Sequence, residues 1–200
     1  MAHHRNTSHS HPVSVPKQRR RHRWRLWKLL VPISPFLLPI AWIGYREIEN
    51  TWIQPQAIFV LGGEEERELF AAKFSGVRSR WPPWLSSGAP QGYAIQVFKK
   101  AGVANESLHL DYQAIDTVTN FTTFVDRFES KGITSVYVIT SDDHMRRARV
   151  IGEIVFGSRG IKVKPVTFTS GRHSEPIGKT VRDSFRSLLW LTTGYAGGKE

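Results

Sequence analysis

No cysteine occurs in the 200 residues. Disulfides, thiol nucleophiles and thiolate metal sites are therefore excluded, and the chain is indifferent to the redox state of its compartment, which permits an extracytoplasmic location. Short signatures of chemistry are absent too. There is no GxGxxG dinucleotide turn, no Walker phosphate loop, no GxSxG nucleophile elbow and no internal repeat, so the sequence assigns no cofactor. Carboxylates are scarce near the amino terminus: residues 1–50 hold nine Lys/Arg against two Glu, whereas residues 51–200 hold nineteen against fifteen. Most of the excess behind the net charge of +11 thus lies outside the stretch able to fold, and the pI of 10.3 overstates how basic that stretch is.

Residues 1–16 have almost no apolar side chains to offset the entropy of ordering. His3, His4, His9 and His11 read as a solvated tail, since nothing fixes their geometry for a metal. Residues 17–28 then carry seven Lys/Arg, and residues 29–45 are seventeen uncharged positions. This order predicts a disordered basic cytoplasmic tail over 1–25 and a transmembrane signal anchor over 26–46. The uncharged stretch spans about 25 Å as a helix, Leu26 and Trp27 lengthen it, and Lys28 can snorkel. Trp24, Trp27, Trp42 and Tyr45 stand where interfacial aromatics belong. A cleaved signal peptide would need a small-x-small site that is not there. A nucleic-acid arm would leave the apolar stretch unexplained, so no nucleic-acid partner is expected. The charge bias predicts a single pass through the inner membrane, with everything after Arg46 on the extracytoplasmic side.

From residue 55 to about 195, short apolar runs alternate with amphipathic ones. Strands are predicted at 57–61, 84–86, 107–112, 135–140 and 162–168, and helices at 65–75, 92–101, 118–131, 144–156 and 181–192. Such alternation predicts an α/β fold, a Rossmann-like three-layer domain with a mainly parallel sheet and right-handed crossovers. Every strand-to-helix junction then falls on one sheet edge, where such folds bind ligands.

Four junctions carry polar or small residues. Gly62-Gly63 lets backbone amides approach a ligand closely. Ser86-Ser87-Gly88 offers hydroxyls and amides. Asp116 or Thr117 can cap the next helix, which leaves Asn120 without a capping role. At the fourth, Thr140-Ser141-Asp142-Asp143-His144 ends a buried strand, and Arg147 follows His144 by three residues on the same helix face. Three chemistries fit that junction: Ser141 with His144 as nucleophile and base, Asp142, Asp143 and His144 around a divalent metal, or anion binding by Arg147 and the helix amino terminus with His144 as general acid or base. The third is preferred, and no metal ligands are assigned.

Together, Val60-Leu61-Gly62-Gly63 with Arg67, Ser86-Ser87-Gly88, Asp116-Thr117 with Asn120, and Val138-Ile139-Thr140-Ser141 with His144-Met145 and Arg147-Ala148 resemble the YdcF-like family, which includes SanA and ElyC. The likeness covers about residues 55–170. It implies a Rossmann-like domain, frequently behind a membrane segment, tied to envelope integrity and to peptidoglycan or lipid-carrier metabolism. By position, the family's recurring polar residues are Arg67, Ser87, Thr117, Asn120, Ser141, His144 and Arg147. The chain departs from the pattern at Arg146, where proline is common, and at Asp143, where an aromatic is common. The second strand also lacks the usual double glycine. The expected site is therefore His144 as the catalytic group with Gly62, Gly63, Arg67, Ser87, Gly88, Thr117, Asn120, Ser141 and Arg147 binding ligand. The expected ligand is an anionic small molecule or lipid-linked envelope intermediate. A non-catalytic nucleotide- or anion-binding module is the alternative.

Overall fold

The computed structural model describes residues 52–197. The basic tail and anchor expected over 1–46 lie outside them. Among the described residues no helix is long and apolar enough to cross a membrane.

Five strands, β1 (Ala57–Leu61), β2 (Pro83–Ser86), β3 (His109–Asp111), β4 (Ser135–Ser141) and β5 (Lys162–Phe168), form one sheet in the order β3-β2-β1-β4-β5. Every pairing is parallel. Five helices accompany them among the described residues: α1 (Glu65–Val77), α2 (Gln91–Lys100), α3 (Thr117–Ser130), α4 (Asp142–Val155) and α5 (Ile177–Thr193). All five residues of β1 are buried, as a central parallel strand covered on both faces requires. Ile58 and Val60 meet Ala71, Ala72, Ala94 and Phe98 of α1 and α2. Ala57, Phe59 and Leu61 face the other way into a cluster with α3 and α4. Phe59 is the hub of that cluster, with ring centroids 5.1–5.7 Å from those of Phe121, Phe124, Phe128 and Phe156. Offset aromatic contacts at such distances add to the area term. The helix α5 packs outside α4 and α3.

This strand order has one topological consequence. The chain moves outward from β1 through β2 to β3, then returns to the other side of β1 for β4 and β5. Connections leaving β1 and β4 therefore diverge to opposite faces and open a crevice beyond their carboxyl ends. The paired glycines and His144 both follow strands that flank this switch point.

Element ends differ from expectation where polar side chains decide them. The third strand is shorter because Asn105–Ser107 forms a 3₁₀ turn. The fourth helix starts at Asp142, with Ser141 at the N-cap position, and α5 starts four residues early at Ile177 behind Pro176, a helix entry that proline's fixed φ favours.

Candidate functional site

A cleft of about 310 Å³ opens at the switch point. Gly62, Gly63 and Arg67 line it from the β1 side, Ser87, Thr117 and Asn120 from the β2 and β3 side, and Thr140 and His144 from β4. His144 and Asn120, twenty-four positions apart in the numbering, thus share one sheet edge and one cleft, as parallel pairing predicts.

Each wall has a local cause. The Gly62 amide donates to Ser86 O at 2.7 Å, and a Cβ on Gly62 would fall 2.2 Å from the Ser86 and Ser87 backbone. No side chain fits between strands that close, so position 62 is restricted to glycine. Gly63 has φ +119, which L residues rarely adopt. Ser87 is the one non-glycine residue with positive φ among those described, at 50°. Its amide donates to Asp111 O at 2.6 Å, and its hydroxyl donates to Ala114 O. The Ser86 hydroxyl donates to Asn120 Oδ1 at 2.8 Å, tying β2 to α3. That bond orients the Asn120 amide and leaves its Nδ2 as a donor in the cleft wall. Asp116 caps α3 by accepting from the Thr119 amide, while the Thr119 hydroxyl accepts from the Asp116 amide. Thr117 is thereby the first helical residue.

Three expected ligand-binding residues are placed elsewhere. Gly88 sits against Glu68, whose Oε1 would lie 2.3 Å from an added Cβ. Ser141 is fully buried, and its hydroxyl accepts from Arg67 Nη2 at 3.2 Å. Arg147, expected as the anion-binding cation, is clamped by carboxylates: its Nη1 is 3.0 Å from Asp183 Oδ2 and its Nε 2.8 Å from Glu175 Oε2. A guanidinium already neutralised by two carboxylates has little charge left for a ligand.

Arg67 differs. Its Nη1 donates to Leu61 O at 2.9 Å and Gly62 O at 2.7 Å, while its nearest carboxylate, Glu64, is 3.5 Å away. Its Nε is buried without a hydrogen-bond partner. Burial lowers the Arg67 pKa, and the neighbouring Glu64 raises it in part. The cation that the cleft presents is therefore Arg67. The Thr140 hydroxyl, also buried and without a partner, adds a second unsatisfied polar atom to the same wall.

His144 is oriented by a residue that the sequence did not single out. Its Nδ1 lies 3.0 Å from Glu175 Oε2. Arg147 Nη2 approaches the same nitrogen at 3.3 Å. The carboxylate and the guanidinium compete for Nδ1, and neither contacts the other ring nitrogen. Nε2 is then the nitrogen able to exchange a proton in the cleft. Oε2 of Glu175 makes these contacts without aligned hydrogen bonds, so the attraction is ionic rather than directional. Burial raises the Glu175 pKa, but the Lys179 hydrogen bond and the charges of His144 and Arg147 outweigh it and hold the carboxyl below its ordinary value. Behind it, Asp183 is 1 % exposed and meets Arg147, Arg182 and Arg186. Burial opposes its charge, yet Arg182 and Arg147 hold its pKa down as well. Asp183, Arg147, Glu175 and His144 form a continuous polar chain ending in the cleft.

A strap of residues 169–176 brings Glu175 there. Ser170 donates its amide and hydroxyl to Asp142 Oδ1 at 3.0 and 2.6 Å. Arg172 pairs with Asp143 at 3.2 Å and with Glu64 at 2.6 Å. Among the described residues no group of three or more His, Asp or Glu has a metal-holding arrangement. No family model, curated protein or solved structure matches the chain.

The cleft can therefore offer the Gly63 amide, the Asn120 amide, the Arg67 guanidinium with a single, longer carboxylate contact, and one oriented imidazole. That set suits recognition of an oxyanion with proton transfer to or from it.

Proposed function

We propose that the cleft binds a phosphorylated ligand and that His144 transfers a proton to it, as in hydrolysis or group transfer at a phosphate ester or anhydride. The observation that carries this is the His144–Glu175 contact of 3.0 Å beside a cleft that Arg67, paired with a single carboxylate at 3.5 Å, also lines. In hydrolysis, water attacks phosphorus while His144 Nε2 takes a proton from it, the bond from phosphorus to the leaving oxygen breaks, and Nε2 passes that proton to the leaving oxygen. Arg67, the Gly63 amide and Asn120 hold the equatorial oxygens, and Glu175 keeps Nδ1 facing away. Glu175 is a positioning residue, since it acts through His144.

The ligand class comes from the likeness to YdcF-like proteins together with the basic-then-apolar order of residues 17–45. These support a single-pass protein of the inner membrane whose α/β domain, of Rossmann-like three-layer form, faces the extracytoplasmic side and acts on a lipid-linked or cell-wall precursor. A reporter fused after Glu200 that is active only in the cytoplasm contradicts that topology.

The test of the chemistry uses farnesyl phosphate and farnesyl pyrophosphate as probes, with phosphate release followed for the full chain. His144→Gln is expected to lower kcat by about 10²–10⁴-fold, the range for a lost general acid or base, with probe binding within about twofold. Glu175→Gln lowers kcat less and shifts the pH–rate profile. Binding without turnover in the wild type removes the catalytic reading and leaves the alternative of an anion- or nucleotide-binding module. Absence of both removes the site.

A further inference from the structure

The last helix is turned inside out. On α5 the buried positions are Thr180, Asp183 and Ser187, all polar. The apolar residues Ile177, Val181, Phe185, Leu188 and Leu189 are 66, 50, 68, 48 and 47 % exposed. Their spacing of four, four, three and one places them on one face about a third of the helix circumference wide. The rotation is pinned. Asp183 is held from α4 by Arg147, and Arg186 reaches Asp116 on the cap of α3 at 2.6 Å. Turning the apolar stripe inward would break both ion pairs and strand Asp183. Nothing among the described residues covers the stripe.

We propose that this face docks on an anionic lipid bilayer surface, with α5 lying in the interfacial plane. Three observations favour that occupant. First, a stripe of aliphatics with one phenylalanine, bordered on one side by Lys179 and Arg182 whose side chains are 50 and 62 % exposed, is the composition of a helix that inserts its apolar face among acyl chains and its cations among headgroups. Second, the helix carries three cations against one carboxylate, and residues 51–200 hold nineteen Lys/Arg against fifteen Asp/Glu. A second copy of the chain would meet like charge along the same stripe, whereas an anionic surface is attracted. Third, the stripe begins at Ile177, two residues after Glu175, which holds His144. Docking sets the His144 wall of the cleft at headgroup level, within reach of a phosphate carried by a lipid. The contact is independent of what the cleft binds and of its chemistry.

The absence of cysteine makes the test direct. A single Phe185→Cys carrying an environment-sensitive fluorophore, and a control with Glu106→Cys on the exposed 105–107 turn, are prepared in the full chain. Both are mixed with vesicles of phosphatidylcholine and phosphatidylglycerol containing a nitroxide-labelled lipid. Residues 17–45 bring both variants to the same vesicles, so only contact by α5 separates them. The expected result is a blue shift and about threefold stronger quenching at 185 than at 106, the pattern of a helix face buried at the interface. The difference collapses when Val181→Asp and Leu188→Asp are added. Equal quenching at the two positions overturns the proposal. A difference as large on pure phosphatidylcholine overturns its anionic part. A blue shift at 185 that needs no vesicles and grows with protein concentration assigns the face to a second copy instead.

Discussion

The turns leaving β1 and β4 are built alike and do opposite work. Each follows a largely buried parallel strand at the switch point, each opens a helix with acidic residues in its first turn, and each places an arginine soon after, at Arg67 and Arg147. After β1 the guanidinium donates to the carbonyls of the strand it follows and meets one carboxylate, Glu64, only at 3.5 Å, so less of its charge is spent. After β4 the guanidinium is claimed by Glu175 and Asp183 from the last quarter of the chain, and the neighbouring imidazole inherits the working position. An arginine's availability for a ligand is thus set by which acceptors reach it first, and carbonyls leave more of its charge usable than carboxylates do.

The largest expected effect breaks the β4 side. Asp183→Ala removes the buried carboxylate that Arg147, Arg182 and Arg186 share, and a loss of about 3–5 kcal/mol is expected in urea unfolding, the usual cost of removing one partner of a buried pair. A loss below 1 kcal/mol would mean that the chain from Asp183 to His144 is an exposed network of little energetic weight.

The acid response sharpens the same contrast. Glu175, Asp183, Asp116 and Glu64 all have folded pKa values below their ordinary ones: burial opposes this at the first three and is outweighed by their cationic and amide partners, while at Glu64 the Arg172 hydrogen bond leads. Groups shifted in that direction stabilise the fold fully above the ordinary carboxylate range, about pH 4, and lose that contribution as pH falls through their folded values. Stability is therefore expected to drop steeply below pH 4, and Asp183→Asn flattens the drop.

The sequence shows some of this and hides the rest for definable reasons. Strands such as 57–61 and 135–140 are legible because burial on both faces demands unbroken apolar runs, and their order with the intervening helices requires a parallel sheet. Gly62 and His144 are legible because each follows such a run closely, and Asn120 because the capping of its helix by Asp116 leaves it without a capping role. Glu175 is not, since it lies in a strap that carries no periodic signal and acts only through contacts with residues some thirty positions earlier. The same distance hides the neutralisation of Arg147. The rotation of α5 is hidden more deeply: its apolar periodicity reads as a core-facing stripe, and only the ion pairs of Asp183 turn that stripe outward.

A smaller effect is expected at Glu68 on α1, which is fully buried with one oxygen accepting from the Ala89 amide and the other without a partner. Burial raises its pKa. A group shifted upward stabilises the fold below its ordinary value of 4.5 and loses that contribution as pH rises through its folded value. Glu68→Gln keeps the acceptor and removes the buried charge, so a gain of about 1 kcal/mol at pH 8 is expected, at the low end for an uncompensated polar group. A gain that is the same at pH 4 and pH 8 would contradict this origin.

The central claim is that Arg67, rather than Arg147 or the general positive charge of the chain, holds the ligand's phosphate. Calorimetric titration of pyrophosphate into the full chain and its Arg67→Gln and Arg159→Ala variants decides it, with folding checked by urea midpoint. Arg159 is exposed and far along the chain on the 157–159 turn, so both changes remove one charge but only one alters the cleft. Arg67→Gln is expected to weaken binding by about 1.5–3 kcal/mol, the scale of hydrogen bonds to charged groups, with Arg159→Ala close to wild type. Equal losses in the two folded variants would show that diffuse electrostatics holds the anion and that the cleft is not its site.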